Sequence, residues 1–299
     1  MTVLTQLRKL QTAILLTLAY SQVFGVALTK EELRHRLLKV SKNQAALYLD
    51  KVLLLLEEKG FVYTDTEYIY LTKENQNSRE QDVKREHAIN KLTQAASFLP
   101  YVQKIPWITS VYVTGSVAAG FSSPHDDIDF LVITEKNRLW LSRIWLFFLL
   151  RGHPLRRKRS QTNHLDGAWC TNMWLEENTT LVRQSERSVY TAYELLQAER
   201  IYAKEGYKKT LLEDNCWTHV FLQTVASVKN KNAKKKKKNN FSPAVDLLNV
   251  CSYYAQSAYM QLHQTRETTD LHQASFHPRD TRRLIYQKWH KIVLTLGQK

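Results

Sequence analysis

Apolar positions recur with helical spacing at the start of the chain. Leu7, Leu10, Ile14 and Leu18 fall on one face and predict a core-facing first helix. Thr29 with Glu32 three residues on is a capping box, which starts a short second helix through Leu38. Ser41 with Gln44 repeats that signal and opens a third helix, with Leu49, Val52, Leu53 and Leu56 on its apolar side and Lys59-Gly60 at its end. Phe61–Tyr63 and Tyr68–Leu71 then alternate like two short strands. Residues 79–98 read as a charged connecting helix. Beyond Trp107 the period changes: Ser110–Thr114, Ile128–Thr134 and Ala168–Leu175 read as strands, with a helix over Leu139–Leu150 that carries Trp140 and Trp145 toward the core. From Val189 onward the chain reads as helical again, with two helices in the last sixty residues, broken near His277-Pro278.

Three helices followed by a hairpin is the order of a winged helix, and the first stretch resembles that fold. The expected fold class is therefore α+β and multidomain. It comprises a winged helix over 1–72, a connecting helix over 73–106, a mixed-sheet α/β domain over 107–215 and a C-terminal helical region over 216–299. Composition refines this picture. Eight glycines in 299 residues disfavour a turn-rich barrel or sandwich. Three well-separated cysteines, Cys170, Cys216 and Cys251, support neither a disulfide framework nor a cysteine zinc site, so a reduced, cytoplasmic protein is expected. The net charge of +15 points to a polyanionic partner, but it is local. Lys229–Lys238 holds seven lysines and Arg151–Arg159 five basic residues, so the remainder is close to neutral. The run within 229–240 reads as a solvated loop, because adjacent like charges repel. No membrane span is expected: the apolar run Ile144–Leu150 is far short of the roughly 20 residues needed. Its basic flanks leave attachment to a membrane surface as a lesser alternative.

The chemistry concentrates in one segment. A β-branched strand ends at Gly115-Ser116, where a missing Cβ lets backbone approach a ligand and a helix start would aim its amides at a phosphate. The next strand presents Asp127 and Asp129 two residues apart, hence on one face with Cα atoms roughly 6.5 Å apart. Two such carboxylates repel, and bound Mg²⁺ would relieve that repulsion and clamp a triphosphate. Asp126 faces the other way and reads as a solvated turn residue.

Gly115-Ser116 followed after twelve residues by Asp127-Ile128-Asp129 resembles the signature of the DNA polymerase β-like nucleotidyltransferase superfamily. Arg138–Arg143 and Cys170-Thr171-Asn172 further resemble bacterial proteins that pair an N-terminal winged helix with this domain. The resemblance implies that Asp127 and Asp129 bind Mg²⁺ or Mn²⁺ and that Gly115 and Ser116 hold the β/γ-phosphates. It also implies a third carboxylate on a later strand that helps activate the acceptor hydroxyl. Two positions depart from the pattern. Ala119 stands where a basic residue is common. The third strand offers Asp166 at its start but Cys170 and Asn172 within it. Asp166 or Glu176 fills the third place, or the site binds nucleotide without turning it over, with Asn172 orienting a metal-bound water. Arg143 is a further candidate for the triphosphate, against the plainer reading of a charge lying over the core. Lys42, Asn43 and Gln44, opening the third helix, are the candidate DNA contacts.

The expected function is Mg²⁺-dependent transfer of a nucleoside monophosphate from a nucleoside triphosphate to a hydroxyl on a small molecule, nucleic acid or protein acceptor. The alternative is a catalytically reduced domain that senses nucleotide and regulates DNA binding. The third carboxylate separates the two.

Overall fold

The computed structural model describes residues 3–156, 166–222, 242–261, 268–276 and 281–298. The Lys-rich loop 229–240, Arg157–Arg159 and the break at His277-Pro278 lie outside the described residues.

Helix α1 (Val3–Gln22) is followed by strand β1 (Leu28–Thr29), α2 (Lys30–Arg36), α3 (Lys42–Glu58), β2 (Tyr63–Thr64) and β3 (Tyr68–Tyr70). The Thr29/Glu32 capping box is present in both directions, and it fixes where α2 begins. The strands form an antiparallel sheet in the order β1-β3-β2. Strand β1 has only two residues and no alternation by which the sequence would show it. Leu10, Ile14 and Leu18 pack against Leu49, Val52 and Leu56, as the spacing predicts.

Helix α4 (Ser78–Ala95) and the short α5 (Leu99–Val102) lead to strand β4 (Ile108–Thr114), the single turn α6 (Gly115–Ala118), β5 (Ile128–Thr134), α7 (Leu139–Leu149) and β6 (Trp169–Glu176). Then come α8 (Val189–Gln197), β7 (Glu199–Ala203) and α9 (Leu211–Asp214). The chain closes with α10 (Pro243–Gln261), β8 (Thr268–Thr269), β9 (Gln273–Ser275) and α11 (Arg282–Gly297). The six-stranded sheet runs β7-β4-β5-β6-β9-β8, parallel only between β5 and β6, so it is mixed as expected.

Phe130 and Val132 face a core with Phe98, Trp140 and Trp174, while Leu131 and Ile133 face Tyr112, Leu211 and Leu195 on the other side. Three expectations change. Residues after Val189 are not all helical, because β7 joins the sheet beside β4. The segment 216–299 is not only helical, because β8 and β9 extend the sheet beyond β6. Trp145 is not core; it is 41% exposed. Helix α11 packs through Trp289, Ile292 and Val293 against the N-terminal core. Among the described residues no helix is long and apolar enough to cross a membrane.

Candidate active site

Strand β4 runs antiparallel to β5 with Thr114 opposite Asp129, so the turn after β4 lies against the start of β5. Gly115 has φ +68°, and a Cβ there would stand 2.8 Å from Asp129 Oδ2. The space left by this glycine is therefore taken by the Asp129 carboxylate, where the sequence suggested an approaching ligand. The expected helix is one turn long. It sums too few peptide dipoles to supply the field of a full helix.

Asp126 is not a solvated turn residue. Its Oδ2 accepts from Ser116 Oγ at 3.0 Å, Ser122 Oγ at 3.2 Å and the Ser123 amide at 2.9 Å. The Ser116 hydroxyl is thus engaged in holding the loop. Lys91 threads the same loop from α4, donating to the carbonyls of Ser123, Pro124 and Asp126 at 2.5, 3.0 and 2.7 Å. Burial holds its ammonium below the usual lysine range. Arg36 reaches across from α2 and donates to the Ala119 carbonyl at 3.0 Å, and Phe121 packs against the N-terminal core. The loop that carries the candidate residues is therefore held from two sides by elements far away in sequence.

Asp127 and Asp129 lie half-buried, alternating with Ile128 and Phe130, which are fully buried on the opposite face. Asn172 Nδ2 donates to Asp129 Oδ1 at 2.7 Å. A bulge in β6, between the pairs Asp129↔Cys170 and Leu131↔Met173, accompanies that contact. Asn172 is 5% exposed, and its Oδ1 is buried without a hydrogen-bond partner.

The other candidates lie elsewhere. Asp166 stands on the turn before β6, mostly in solvent, 2.8 Å from the exposed His125 Nδ1. Glu176 closes the far end of β6, roughly 20 Å along the strand from Cys170 and opposite Thr134, where it meets His272. Arg143 belongs to α7, across the sheet from Asp129. Its guanidinium lies 4.4 Å from the Phe276 ring and donates to Gln256 at 2.5 Å, so the plainer reading of this residue fits its place. Asn43 is exposed in the first turn of α3, with Lys42 and Gln44 on either side in sequence.

One acid escaped the sequence reading. Glu194 on α8 has its carboxyl pushed up to about 7, chiefly by burial and then by the negative charge of Asp129, against a hydrogen bond with Tyr190. Its signal was slight: it is the sole charged residue of a nine-residue helix, Val-Tyr-Thr-Ala-Tyr-Glu-Leu-Leu-Gln.

Among the described residues no three His, Cys, Asp or Glu side chains form a group that would hold a metal ion. What the structure offers near Asp129 is oxygen: Asn172, which donates to Asp129 Oδ1, keeps its own amide oxygen buried and unpartnered, and Asp127 stands two residues before Asp129. That donor chemistry suits Mg²⁺ or Mn²⁺, hard cations that take carboxylate and amide oxygens and keep several waters. Residues 96–212 match the family model of the nucleotidyltransferase domain. No curated protein and no solved structure matches the chain.

Proposed function

We propose, from the premise that residues 96–212 form a nucleotidyltransferase domain, that the chain transfers a nucleoside monophosphate from a nucleoside triphosphate to an acceptor hydroxyl. The observation that carries this reading is the seat of Asp129, pressed on Gly115 and held by Asn172. Asp127 and Asp129 would hold Mg²⁺ or Mn²⁺, which when bound supplies charge neutralisation for the triphosphate. Gly115 seats the Asp129 carboxylate, and the backbone of Gly115 and Ser116 borders the phosphates. Asn172 keeps one Asp129 oxygen fixed and offers its own. In the transfer the acceptor oxygen bonds to the α-phosphorus, the bond to pyrophosphate breaks, and the acceptor proton passes to a nearby base. Positioning and electrostatics do most of such work.

A second reading has an observation behind it. The third place holds Asn172, a poor general base, while Asp166 and Glu176 lie elsewhere. That favours nucleotide sensing without turnover. The order helix–strand–helix–helix–strand–strand supports a winged helix at the N-terminus, and Lys42, Asn43 and Gln44 would then face duplex DNA.

Incubation with Mg²⁺, α-labelled triphosphates and cell extract, beside Asp127→Asn, separates the two. Label on an acceptor with the parent protein and not with the variant supports transfer. Nucleotide binding without any label transfer sinks it in favour of sensing.

A further inference from the structure

Helix α7 turns Leu139, Trp140, Ser142 and Leu146 into the core. Its outer side should be polar, yet it exposes Trp145, Phe147 and Phe148 by 41, 49 and 59%. Single exposed apolar residues are ordinary; three large aromatics on four consecutive positions are not. Leu141 and Ile144, each part-exposed, complete a row with Trp145 and Phe148 at helical spacing. The patch is stiffened from its edges. Trp145 meets the Trp107 ring edge-on at 5.6 Å, and Phe147 meets Phe148 at 5.7 Å.

Its charge has one sign. From Leu139 to Arg156 the sequence has no Asp or Glu, and Arg151 and Arg156 follow the helix. Arg156 stands 4.0 Å from the centre of the Phe147 ring. Acids near either end of α7 are already matched: Asp246 by Arg138 and Glu135 by Lys204.

We propose that this face docks on an anionic phospholipid surface. Eleven residues rise only about 16 Å, half a hydrocarbon core, so the helix lies in the interface and does not cross it. Trp145, Phe147 and Phe148 enter the boundary between headgroups and acyl chains, and Arg151 and Arg156 pair with the phosphates. A single-stranded nucleic acid would also meet rings and guanidiniums. However, Leu141 and Ile144 between them offer a base nothing to hydrogen-bond, and a hydrocarbon boundary accepts them. The proposal is independent of whether the nucleotide site turns over.

The test is co-sedimentation of the full chain with vesicles of phosphatidylcholine alone and with about 30% phosphatidylglycerol, with melting curves as a folding control. The expected result is binding to the anionic vesicles only, weakened by salt. It should fall about tenfold or more in Phe147→Ser/Phe148→Ser with melting unchanged, and also in Arg151→Glu. Undiminished binding by the folded aromatic variant assigns adhesion to the Lys tract and overturns the proposal. Equal binding to neutral vesicles, no vesicle binding, or aromatic-dependent binding of single-stranded RNA instead also overturns it.

Discussion

The β5–β6 pair buries carboxylates at both ends, and the ends treat them differently. At the Thr134 end, Glu176 is fully buried, and Asp270 beside it accepts from the His272 amide at 2.8 Å and stands 3.5 Å from Arg183. Glu176 Oε2 lies 2.8 Å from His272 Nδ1, and the Glu176 backbone amide donates to Thr179 Oγ1 and the His272 carbonyl. Each acid there has a base, Glu176 with His272 and Asp270 with Arg183, and β9 covers the strand beside them. At the Asp129 end, Asp126 and Asp127 precede Asp129 in the chain, and Glu194 lies within the electrostatic reach of Asp129. The ammonium that threads the loop, Lys91, is spent on carbonyls and a serine. Gly115 leaves the room that the Asp129 carboxylate takes, and Glu194 keeps its proton to about 7, chiefly through burial and then through the charge of Asp129. Burial is common to both ends. An excess of acid over base is found at one, and that excess is what a divalent cation would relieve.

The sharpest test exchanges the two ends. Asp129→Asn should lower label transfer by about a thousandfold, as removal of a group that holds charge at the reacting phosphate does, and should leave the melting temperature equal or raised. Glu176→Ala should do the reverse, costing about 3 kcal/mol through a cavity and a stranded histidine, with activity per folded molecule retained. Urea denaturation beside the transfer assay reads both. Equal stability losses in the two variants would remove the distinction.

Gly115→Ala probes the packing at the acidic end. The positive φ alone costs about 1–3 kcal/mol, and the added methyl would meet Asp129 Oδ2 at 2.8 Å. Lost stability together with weakened Mg²⁺-nucleotide binding is expected. A variant that melts earlier but binds normally would detach the glycine from the site.

Asn172→Asp probes the third place. Replacing the amide removes the donor to Asp129 and adds a further negative charge. The metal-free protein should lose about 1–2 kcal/mol, and Mg²⁺ should restore it more strongly than in the parent. Calorimetric melting with and without Mg²⁺ measures this, and an unchanged Mg²⁺ response would show that position 172 does not face the cation.

These effects also mark where the sequence stopped being readable. β4 and β5 were visible as β-branched, near-continuous apolar runs buried on both faces, and β6 by its alternation. β7 was read as helix: Glu-Arg-Ile-Tyr-Ala is exposed or half-exposed throughout and joins the sheet through backbone bonds to β4. β1, β8 and β9 are too short to carry a period. Asp127 and Asp129 were legible because their spacing alone puts them on one face. Arg36 and Glu194 were not, since each reaches the site from an element whose position depends on packing across the chain. Asp126 was misread because alternation says which way a strand residue points and says nothing about the serines that a returning loop brings to it.

A pH dependence that belongs to one end only is also expected. Glu194 ionises near 4.5 in the unfolded chain and near 7 in the folded one. Below pH 4.5 it is neutral in both states and contributes no bias. Between 4.5 and 7 the unfolded chain gives up its proton while the folded protein keeps it, so stability falls as pH rises and levels off above 7. Melting of chelator-treated protein at pH 5 and pH 8 should therefore show a decline that Glu194→Gln reduces. The difference between parent and variant is the readout, because every group the two proteins share contributes alike to both curves. Saturating Mg²⁺ should shrink that difference, since a cation beside Asp129 cancels the repulsion that helps to hold the proton on Glu194. Parallel curves for parent and variant, with and without Mg²⁺, would place Glu194 outside the electrostatic reach of Asp129.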